Sequence, residues 1–310
     1  MNRAGIKTYT KFVVEQEQQY IDTMFSNQPH LFREDSILIE SGIEHVELRN
    51  PPKLDGMVLG IPCTGASKAG KTRNKIKAAE FHDAAGACFF YALQLIGLCQ
   101  PAFIIIENVP EYLNSTSMAV IQSVLKTWGY ELEETVFNGV EFGSLENRDR
   151  MVLMAVSKGL KGFSLENVKP VVEKPEKVAD VLETVGLNDE RWKSYDYLAA
   201  KEIRDKAEGK GFRRQLLDGT ESSVPTIRRL YHKAGSTDPF LIHPDGKRSR
   251  LFTPLEHSKI KGVPIHLING VANTTAHEIL GQSVCYPVFL ALGQSLGAWV
   301  SESFHQKIAA

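Results

Sequence analysis

Hydrophobic and polar positions alternate along the first half of the chain in the manner of strands and helices that follow one another. Short apolar runs bounded by Gly, Pro or polar residues predict buried strands at 11–16, 57–62 and 103–108. Apolar residues at helical spacing predict helices at 16–26, 77–99 and 117–128, and two further strands are predicted at 130–137 and 150–157. This alternation predicts an α/β fold with a doubly wound, mostly parallel sheet.

The alternation stops near Lys158, and the polar, irregular residues that follow predict a smaller lobe. We therefore divide the chain into a core domain over 1–157, a lobe over 158–249 and a return to the core domain over 250–310. The net charge of −1 argues by itself against a nucleic-acid partner. However, residues 201–250 contain twelve Lys and Arg against seven Asp and Glu, so this segment could meet a phosphate backbone.

Other features of the composition narrow the class of protein. No apolar run approaches the length of a membrane span and the first residues lack a signal-peptide core, so we expect no membrane partner. The expected location is the cytoplasm, or the nucleus if the source is eukaryotic. The four cysteines form no CxxC pair, so no metal site is predicted.

Reactive groups follow two of the predicted strands, where an open parallel sheet carries its functional site. Pro62 and Cys63 follow the strand at 57–62, and Glu107 ends the strand at 103–108. If these strands are neighbours, a thiol and a carboxyl lie side by side and could act as nucleophile and acid. For either residue alone, a structural role is the more common interpretation.

The loop after Cys63 supports a competing interpretation. Residues 65–72 read Gly-Ala-Ser-Lys-Ala-Gly-Lys-Thr and satisfy the phosphate-loop pattern, between a predicted strand and a predicted helix. In that reading Lys71 would contact the terminal phosphates and Thr72 would bind magnesium. Taken alone, the loop predicts a nucleotide hydrolase.

The order of several motifs favours a different class. From Pro62-Cys63 onward, the chain resembles the carbon-5 cytosine methyltransferases. Their further motifs have counterparts in the family's order at Glu107-Asn108-Val109, Glu146-Asn147-Arg148-Asp149-Arg150, Arg250–Glu256 and Gly281-Gln282-Ser283-Val284. The Ser and the Ala-Gly-Lys of the loop also match the family, so the phosphate-loop pattern is explained as a coincidence. Three positions depart from the family pattern: Thr64, Glu146 and Gln282.

The resemblance implies transfer of a methyl group from S-adenosyl-L-methionine to carbon 5 of cytosine in double-stranded DNA, in a restriction or phage system. It implies that Cys63 adds covalently to the flipped base and that Glu107, Arg148 and Arg150 contact the base or its surroundings. The lobe at 158–249 would then read the DNA sequence, and the rest of the chain would be the catalytic domain.

The resemblance also implies residues for the cofactor. Glu15 would bind the ribose hydroxyls and Asp35 would lie near the adenine, with Pro62, Ser283 and Val284 completing the site. The family's opening glycine-rich motif, of the form Asp-Leu-Phe-x-Gly-x-Gly-Gly, has no counterpart in the sequence. Because that motif follows a strand in the middle of the family's sheet, we expect a truncated gene, a misplaced start or a companion chain that supplies the strand.

Three alternatives stay open at this point. The chain could methylate tRNA, as one branch of the resembled family does. It could be an inactive remnant that binds DNA or needs a partner chain. It could also be a phosphate-loop hydrolase, supported by residues 65–72 alone.

Overall fold

The structure is a computed structural model that describes Met1, residues 4–62 and residues 86–309, with side chains as far as residue 302. It divides into two compact units. The first consists of residues 1–137, 149–169 and 290–310, and the second of residues 138–148 and 170–289. Residues 250–289 thus group with the second unit, whereas the sequence suggested that 250–310 return to the first. The functional division into catalytic domain and recognition lobe stays a prediction.

The first unit contains a two-stranded sheet and a four-stranded sheet. Its strands are β1 (Phe12–Glu15), β2 (Ile37–Glu40), β3 (Gly56–Gly60), β4 (Phe103–Asn108), β5 (Tyr130–Asn138) and, later in the chain, β7 (Asp149–Ser157). Strands β1 and β2 form one parallel pair, and β3-β4-β7-β5 form a four-stranded sheet in that order. Strand β3 runs parallel to β4, and β7 runs antiparallel to β4.

Helices α1 (Gln18–Asn27), α2 (Cys88–Cys99) and α3 (Thr116–Thr127) belong to the first unit, together with most of α7 (Tyr286–Ala309). Helix α3 begins where the Ser115 hydroxyl accepts a hydrogen bond from the Met118 amide. Its buried Met118, Ile121 and Leu125 face a core that includes Ile104 and other residues of β4. Because Phe103–Ile106 are all buried, β4 is covered on both faces, as its apolar run predicts.

The second unit combines short strands with helices. Its strands are β6 (Glu146–Asn147), β8 (Gln215–Leu217), β9 (Val224–Pro225), β10 (Pro239–Ile242) and β11 (Ser249–Arg250), and its helices are α4 (Asp196–Ala207), α5 (Pro254–Ile260) and α6 (Asn273–Gln282). Strands β11-β10-β8 form one sheet and β6-β9 another. Short 3₁₀ helices in the two units cover Pro29–Leu31, Ile43–His45, Pro110–Asn114, Val140–Phe142, Leu165–Asn167, Val178–Val181, Tyr231–Lys233 and Ile265–Ile268.

A pair of buried histidines packs on Tyr231 in the core of the second unit. The Nδ1 atoms of His257 and His277 lie 3.0 Å apart, and both rings lie against the Tyr231 ring. The Tyr231 hydroxyl donates to the Pro239 carbonyl oxygen at 2.8 Å. Burial, with a smaller contribution from the charge of His232, lowers the pKa of His277 to about 4.

The predicted fold class is confirmed, and most predicted elements of the first half are present within a residue or two of their predicted bounds. The helix predicted at 77–99 is described as Cys88–Cys99, and positions 77–85 of that prediction lie outside the described residues. Within the described residues, no single helix has the length and apolar character needed to cross a membrane. One bent pair, α6 with residues 286–302, meets the length and composition requirement only when its two halves are taken together.

Candidate active site

The carboxyl edge of the four-stranded sheet brings several predicted residues together. Gly60 at the end of β3 is the register partner of Glu107 on β4, so Pro62 and Glu107 lie at the same edge. Strand β7 places Arg150 there as well, with its Nε 2.9 Å from Glu107 Oε1. Both side chains of this ion pair are largely buried. Strands β3 and β4 are neighbours, which is the condition on which the predicted proximity of the thiol and the carboxyl depends.

Asn108 fixes the path of the chain beyond β3. Its side-chain amide donates to the Ile61 carbonyl oxygen at 3.0 Å, and its Oδ1 accepts from the Val109 amide at 2.9 Å. Because Asn108 is buried, these bonds are not shared with solvent and each is costly to lose. Asn108 thus secures the residue immediately before Pro62. Cys63, Thr64 and the phosphate-loop pattern at 65–72 lie outside the described residues.

Two carboxylates end the β1–β2 pair. Glu15 and Glu40 are register partners at the carboxyl ends of the two parallel strands, so their side chains point to the same face. Glu15 Oε1 accepts a hydrogen bond from the Glu17 amide at 3.1 Å. Among the described residues neither carboxylate has a basic partner, and adjacent like charges on paired strands are unfavourable. Such a pair is suited to a ligand that donates hydrogen bonds.

The structure places Asp35 away from Glu15. Asp35 precedes β2 and forms an ion pair with Lys11, so it lies at the amino end of the β1–β2 pair. Glu15 lies at the opposite end, because β1 and β2 are parallel. The Lys11 hydrogen bond, offset in part by a small desolvation, lowers the pKa of Asp35. Glu40, the last residue of β2, is instead the register partner of Glu15. Sequence reasoning missed it because no strand was predicted at 37–40.

Arg148 contacts the backbone of the segment of the second unit that carries Ser283 and Val284. Its guanidinium is buried and lies 3.5 Å from the Gly281 carbonyl oxygen and 3.4 Å from that of Ser283. The Ser283 hydroxyl donates to the Leu280 carbonyl oxygen at 2.7 Å, which closes the end of α6. Val284 follows in the same turn. Arg148 therefore secures the turn that carries Ser283 and Val284.

Glu146, one of the departures from the family pattern, has a partner far away in the sequence. Its Oε2 lies 2.6 Å from the Lys261 ammonium, its Oε1 accepts from the Ile227 amide at 2.8 Å, and Arg148 is 3.9 Å away. Each side chain of the Glu146–Lys261 pair is only 1% exposed. The added negative charge is therefore balanced inside the core of the second unit.

The Arg250–Glu256 segment has a structural explanation. Thr253 and Glu256 form a reciprocal capping box at the start of α5, and Pro254 occupies the first turn. Glu256 also binds the Arg250 guanidinium with both oxygens, at 2.6 and 2.7 Å. This motif therefore builds the beginning of α5.

The fold and the carboxyl-edge site together define the class of protein. Among solved structures, the chain is similar to the S. pombe Dnmt2 methyltransferase, with a TM-score of 0.72 and 17% identity over 94% of this chain and 92% of that one. It is also similar to the Entamoeba histolytica methyltransferase EhMeth, with a TM-score of 0.64 and 17% identity over 94% of this chain and 98% of that one. These likenesses show the fold, which is the α/β methyltransferase fold.

The family follows from the sequence comparison. Residues 1–298 match the C-5 cytosine-specific DNA methylase family, and the chain belongs to it. Relatives include the Type II methyltransferase M1.ScrFI of Lactococcus lactis subsp. cremoris, 25% identical over 88% of this chain and 67% of the relative. Another is M.NlaX of Neisseria lactamica, 27% identical over 86% of this chain and 83% of the relative.

These findings confirm the predicted enzyme class, a DNA cytosine-5 methyltransferase, and they do not favour the alternatives drawn from the sequence. Enzymes of this family generally use S-adenosylmethionine, and DNA is the substrate that the family implies.

Proposed function

We propose that this chain methylates carbon 5 of a flipped cytosine in double-stranded DNA with Cys63 as nucleophile and Glu107 as the group that binds the base. The Glu107–Arg150 ion pair at the exit of β3 carries this proposal. Glu107 is the register partner of Gly60, which precedes Cys63 by three positions in the sequence. Asn108 supports the assignment because it fixes Ile61 two residues before Cys63.

The chemistry needs a nucleophile because carbon 5 of cytosine is itself unreactive. The Cys63 thiolate forms a bond to carbon 6, and the electron pair displaced from the ring double bond makes carbon 5 nucleophilic. Glu107, once protonated, donates to N3 and accepts from the exocyclic amine. Arg150 must release Glu107 for this, and its guanidinium then becomes available to the base carbonyl. Once carbon 5 carries the transferred methyl group, loss of the carbon 5 proton to a base and expulsion of the thiolate restore the ring and Cys63.

The cofactor would lie beyond the carboxyl ends of the strands. S-adenosylmethionine supplies the electrophilic methyl group. Glu15 and Glu40 would accept hydrogen bonds from its ribose hydroxyls, which suits two neighbouring carboxylates without a basic partner in the described structure. Pro62, Ser283 and Val284 remain the other proposed cofactor contacts. Arg148 acts here as a positioning residue, through its contacts with the turn at 281–284.

The second unit would bind the phosphate backbone through basic residues that form no ion pair within the part of the chain that the structure describes. Most Lys and Arg of residues 201–250 form ion pairs within the unit, for example Arg214 with Glu202 and Arg228 with Asp238. Four exposed ones have no ion pair among the described residues: Lys206, Arg213, Lys233 and Lys247. Phosphate contacts of this kind position the protein, whereas other polar groups of residues 158–249 would read the bases.

The decisive experiment incubates the purified chain with duplex DNA of mixed sequence and methyl-labelled S-adenosylmethionine. Label at carbon 5 of cytosine, abolished in Cys63→Ala but retained in the matched Cys88→Ala, is expected. A parallel reaction with tRNA tests the alternative substrate. Label in Cys63→Ala would overturn the assigned nucleophile. No label on either nucleic acid, together with no binding of the cofactor, would favour the inactive remnant.

Two remaining points need their own measurements. ATP binding that Lys71→Ala abolishes would revive the phosphate-loop alternative. The cytoplasmic location, or a nuclear one in a eukaryotic source, stays a prediction that fractionation of the native cells would test. A companion chain that completes the sheet likewise stays a prediction.

A further inference from the structure

Three charged side chains are buried beside one another in the second unit: Glu146, Arg148 and Lys261. Glu146 and Lys261 are each 1% exposed, and Arg148 is 7% exposed. Within the part of the chain that the structure describes, Glu146 is the only acidic residue that forms an ion pair with either cation. When all three are ionised, the group therefore carries one positive charge in excess, and two cations compete for one carboxylate.

Lys261 binds the Glu146 carboxylate more closely than Arg148 does. The Lys261 ammonium lies 2.6 Å from Oε2, whereas the Arg148 Nη1 atom lies 3.9 Å from Oε1. The second distance is too long for a hydrogen bond. Oε1 instead accepts from the Ile227 amide at 2.8 Å. The carboxylate is thus occupied by an ammonium and an amide, and the guanidinium is left to bind other groups.

The Arg148 guanidinium binds the backbone of the turn at 281–284. Its donors lie 3.5 Å from the Gly281 carbonyl oxygen and 3.4 Å from that of Ser283, and both distances are longer than the usual limit of about 3.2 Å. Its Nε has no partner among the described residues. Hydrogen bonds between a guanidinium and a carboxylate are stronger than bonds to a neutral carbonyl. The contact of Arg148 with the turn therefore depends on where Glu146 is held.

We propose that Lys261 is a positioning residue for the cofactor, because it holds Glu146 away from Arg148 and so keeps the guanidinium on the turn at 281–284. The inference rests on the proposed function, which assigns Ser283 and Val284 to the cofactor. Without the ammonium, Glu146 would close the 3.9 Å gap to Arg148, and the guanidinium would leave the two carbonyl oxygens. The turn would lose these contacts, and the affinity for S-adenosylmethionine would fall.

The charge of Lys261 can also be removed without a substitution. Burial lowers the pKa of Lys261 to about 8; the charge of Arg148 acts in the same direction, whereas Glu146 and Cys285 act against it. His257 faces the ammonium as well, and burial together with the Lys261 charge lowers the pKa of His257. Burial raises the pKa of the Cys285 thiol above its ordinary value of 9.0. Lys261 is therefore the member of this group that is expected to lose its charge just above neutral pH.

Two variants of the full chain test the positioning role. Lys261→Met is expected to raise KM for S-adenosylmethionine by about tenfold with kcat retained. Adding Glu146→Gln removes the carboxylate that would capture Arg148, so KM of the double variant is expected to return to within about twofold of the native value. Lys259→Met is the matched control, because Lys259 is exposed on the same helix, α5, and its loss should leave KM unchanged.

The pH dependence of KM provides a measurement that a merely structural role would not alter. It compares the native chain with the double variant, so it does not require the single variant to fold. The amino group of S-adenosylmethionine also titrates near this pH, but equally for both proteins. The ratio of native to double-variant KM is expected to be near one at about pH 7 and to rise about tenfold by about pH 9.5, as Lys261 loses its proton.

Hydrogen exchange tests the turn without the cofactor. In Lys261→Met, exchange at residues 281–285 is expected to accelerate more than exchange in α4 of the same unit, and the double variant should restore it. An unchanged KM in Lys261→Met, no recovery in the double variant, or a KM ratio that does not vary with pH would overturn the role of Lys261. Methyl transfer by the native chain with any of these results would leave the proposed function standing. Locally accelerated exchange without methyl transfer would support the positioning of the turn and reject the proposed function.

Discussion

Replacing Glu146 with glutamine tests the account of the buried charges in the second unit. Burial lowers the pKa of Lys261 to about 8 against the opposing charge of Glu146. Burial also works against ionised Glu146, but the charges of Lys261 and Arg148 outweigh it and lower the pKa of Glu146. Each side chain thus depends on the other to remain charged.

The magnitude follows from the 2.6 Å contact and from the 1% exposure of both side chains. Glu146→Gln keeps an oxygen for the Ile227 amide but leaves the Lys261 ammonium without its counter-charge. Breaking a buried pair by removing one partner costs about 3–5 kcal/mol. Lys261→Met is expected to cost a similar amount. The double variant removes both charges, so its free energy of unfolding is expected to lie within about 1 kcal/mol of the native value.

Urea unfolding followed by fluorescence gives the free energy of unfolding of each variant. Glu208→Gln is the matched control, because the Glu208–Lys210 pair is exposed and its loss is expected to cost less than about 1 kcal/mol. The reasoning is wrong if Glu146→Gln is as mild as this control. It is also wrong if the double variant loses the sum of the two single effects.

Three further predictions concern pH, positioning and the cofactor. Burial lowers the pKa of His277 to about 4 in the native state, whereas the unfolded chain takes up the proton below pH 6.5. The free energy of unfolding therefore has its full value above pH 6.5 and falls as the pH drops towards about 4. His277→Phe is expected to reduce the loss of unfolding free energy between pH 7 and 5 by about 2 kcal/mol. Asn108→Ala is expected to slow single-turnover methylation by about tenfold with DNA affinity unchanged, because a misplaced nucleophile costs about 1.4 kcal/mol or more in the barrier. Glu40→Gln is expected to raise KM for S-adenosylmethionine by about tenfold with kcat retained, because it weakens a charge-assisted hydrogen bond.

Matched variants sharpen each of these tests. His266→Phe changes a histidine on an exposed 3₁₀ helix and should leave the pH dependence unaltered; an equal effect would assign the dependence to other groups. Asn138→Ala removes a half-buried amide that bonds Asn147 and Val140 rather than Ile61, and it should not slow methylation. Glu47→Gln should leave KM unchanged, and an unaltered KM in Glu40→Gln would remove Glu40 from the cofactor site.

The sequence predicted most strands of the first unit, but not β2 or the antiparallel direction of β7, and it predicted one edge of the site. Continuous apolar runs identify β3 and β4, and parallel neighbours necessarily end at the same edge, so the proximity of Pro62 and Glu107 could be predicted. Asp35 lies at the opposite end of the β1–β2 pair from Glu15, and its role at the cofactor stays a prediction. An acidic residue before a strand and one at its end look alike in an unaligned sequence. Glu146 and Lys261 are 115 residues apart. No local pattern links them, so their pairing required the tertiary structure.

The contact between His257 and His277 requires two neighbouring neutral histidines to adopt different tautomers. Two Nδ1 atoms 3.0 Å apart can share only one proton, so one ring must be the Nδ1–H tautomer and the other the Nε2–H tautomer. Nε2 of His257 has no hydrogen-bond partner among the described residues, so whichever tautomer His257 adopts leaves one ring nitrogen unsatisfied. Nitrogen-15 spectra of the folded protein should therefore resolve two neutral imidazoles with opposite patterns of protonation, and their exchange would report rearrangement of the hydrogen-bonded core around Tyr231.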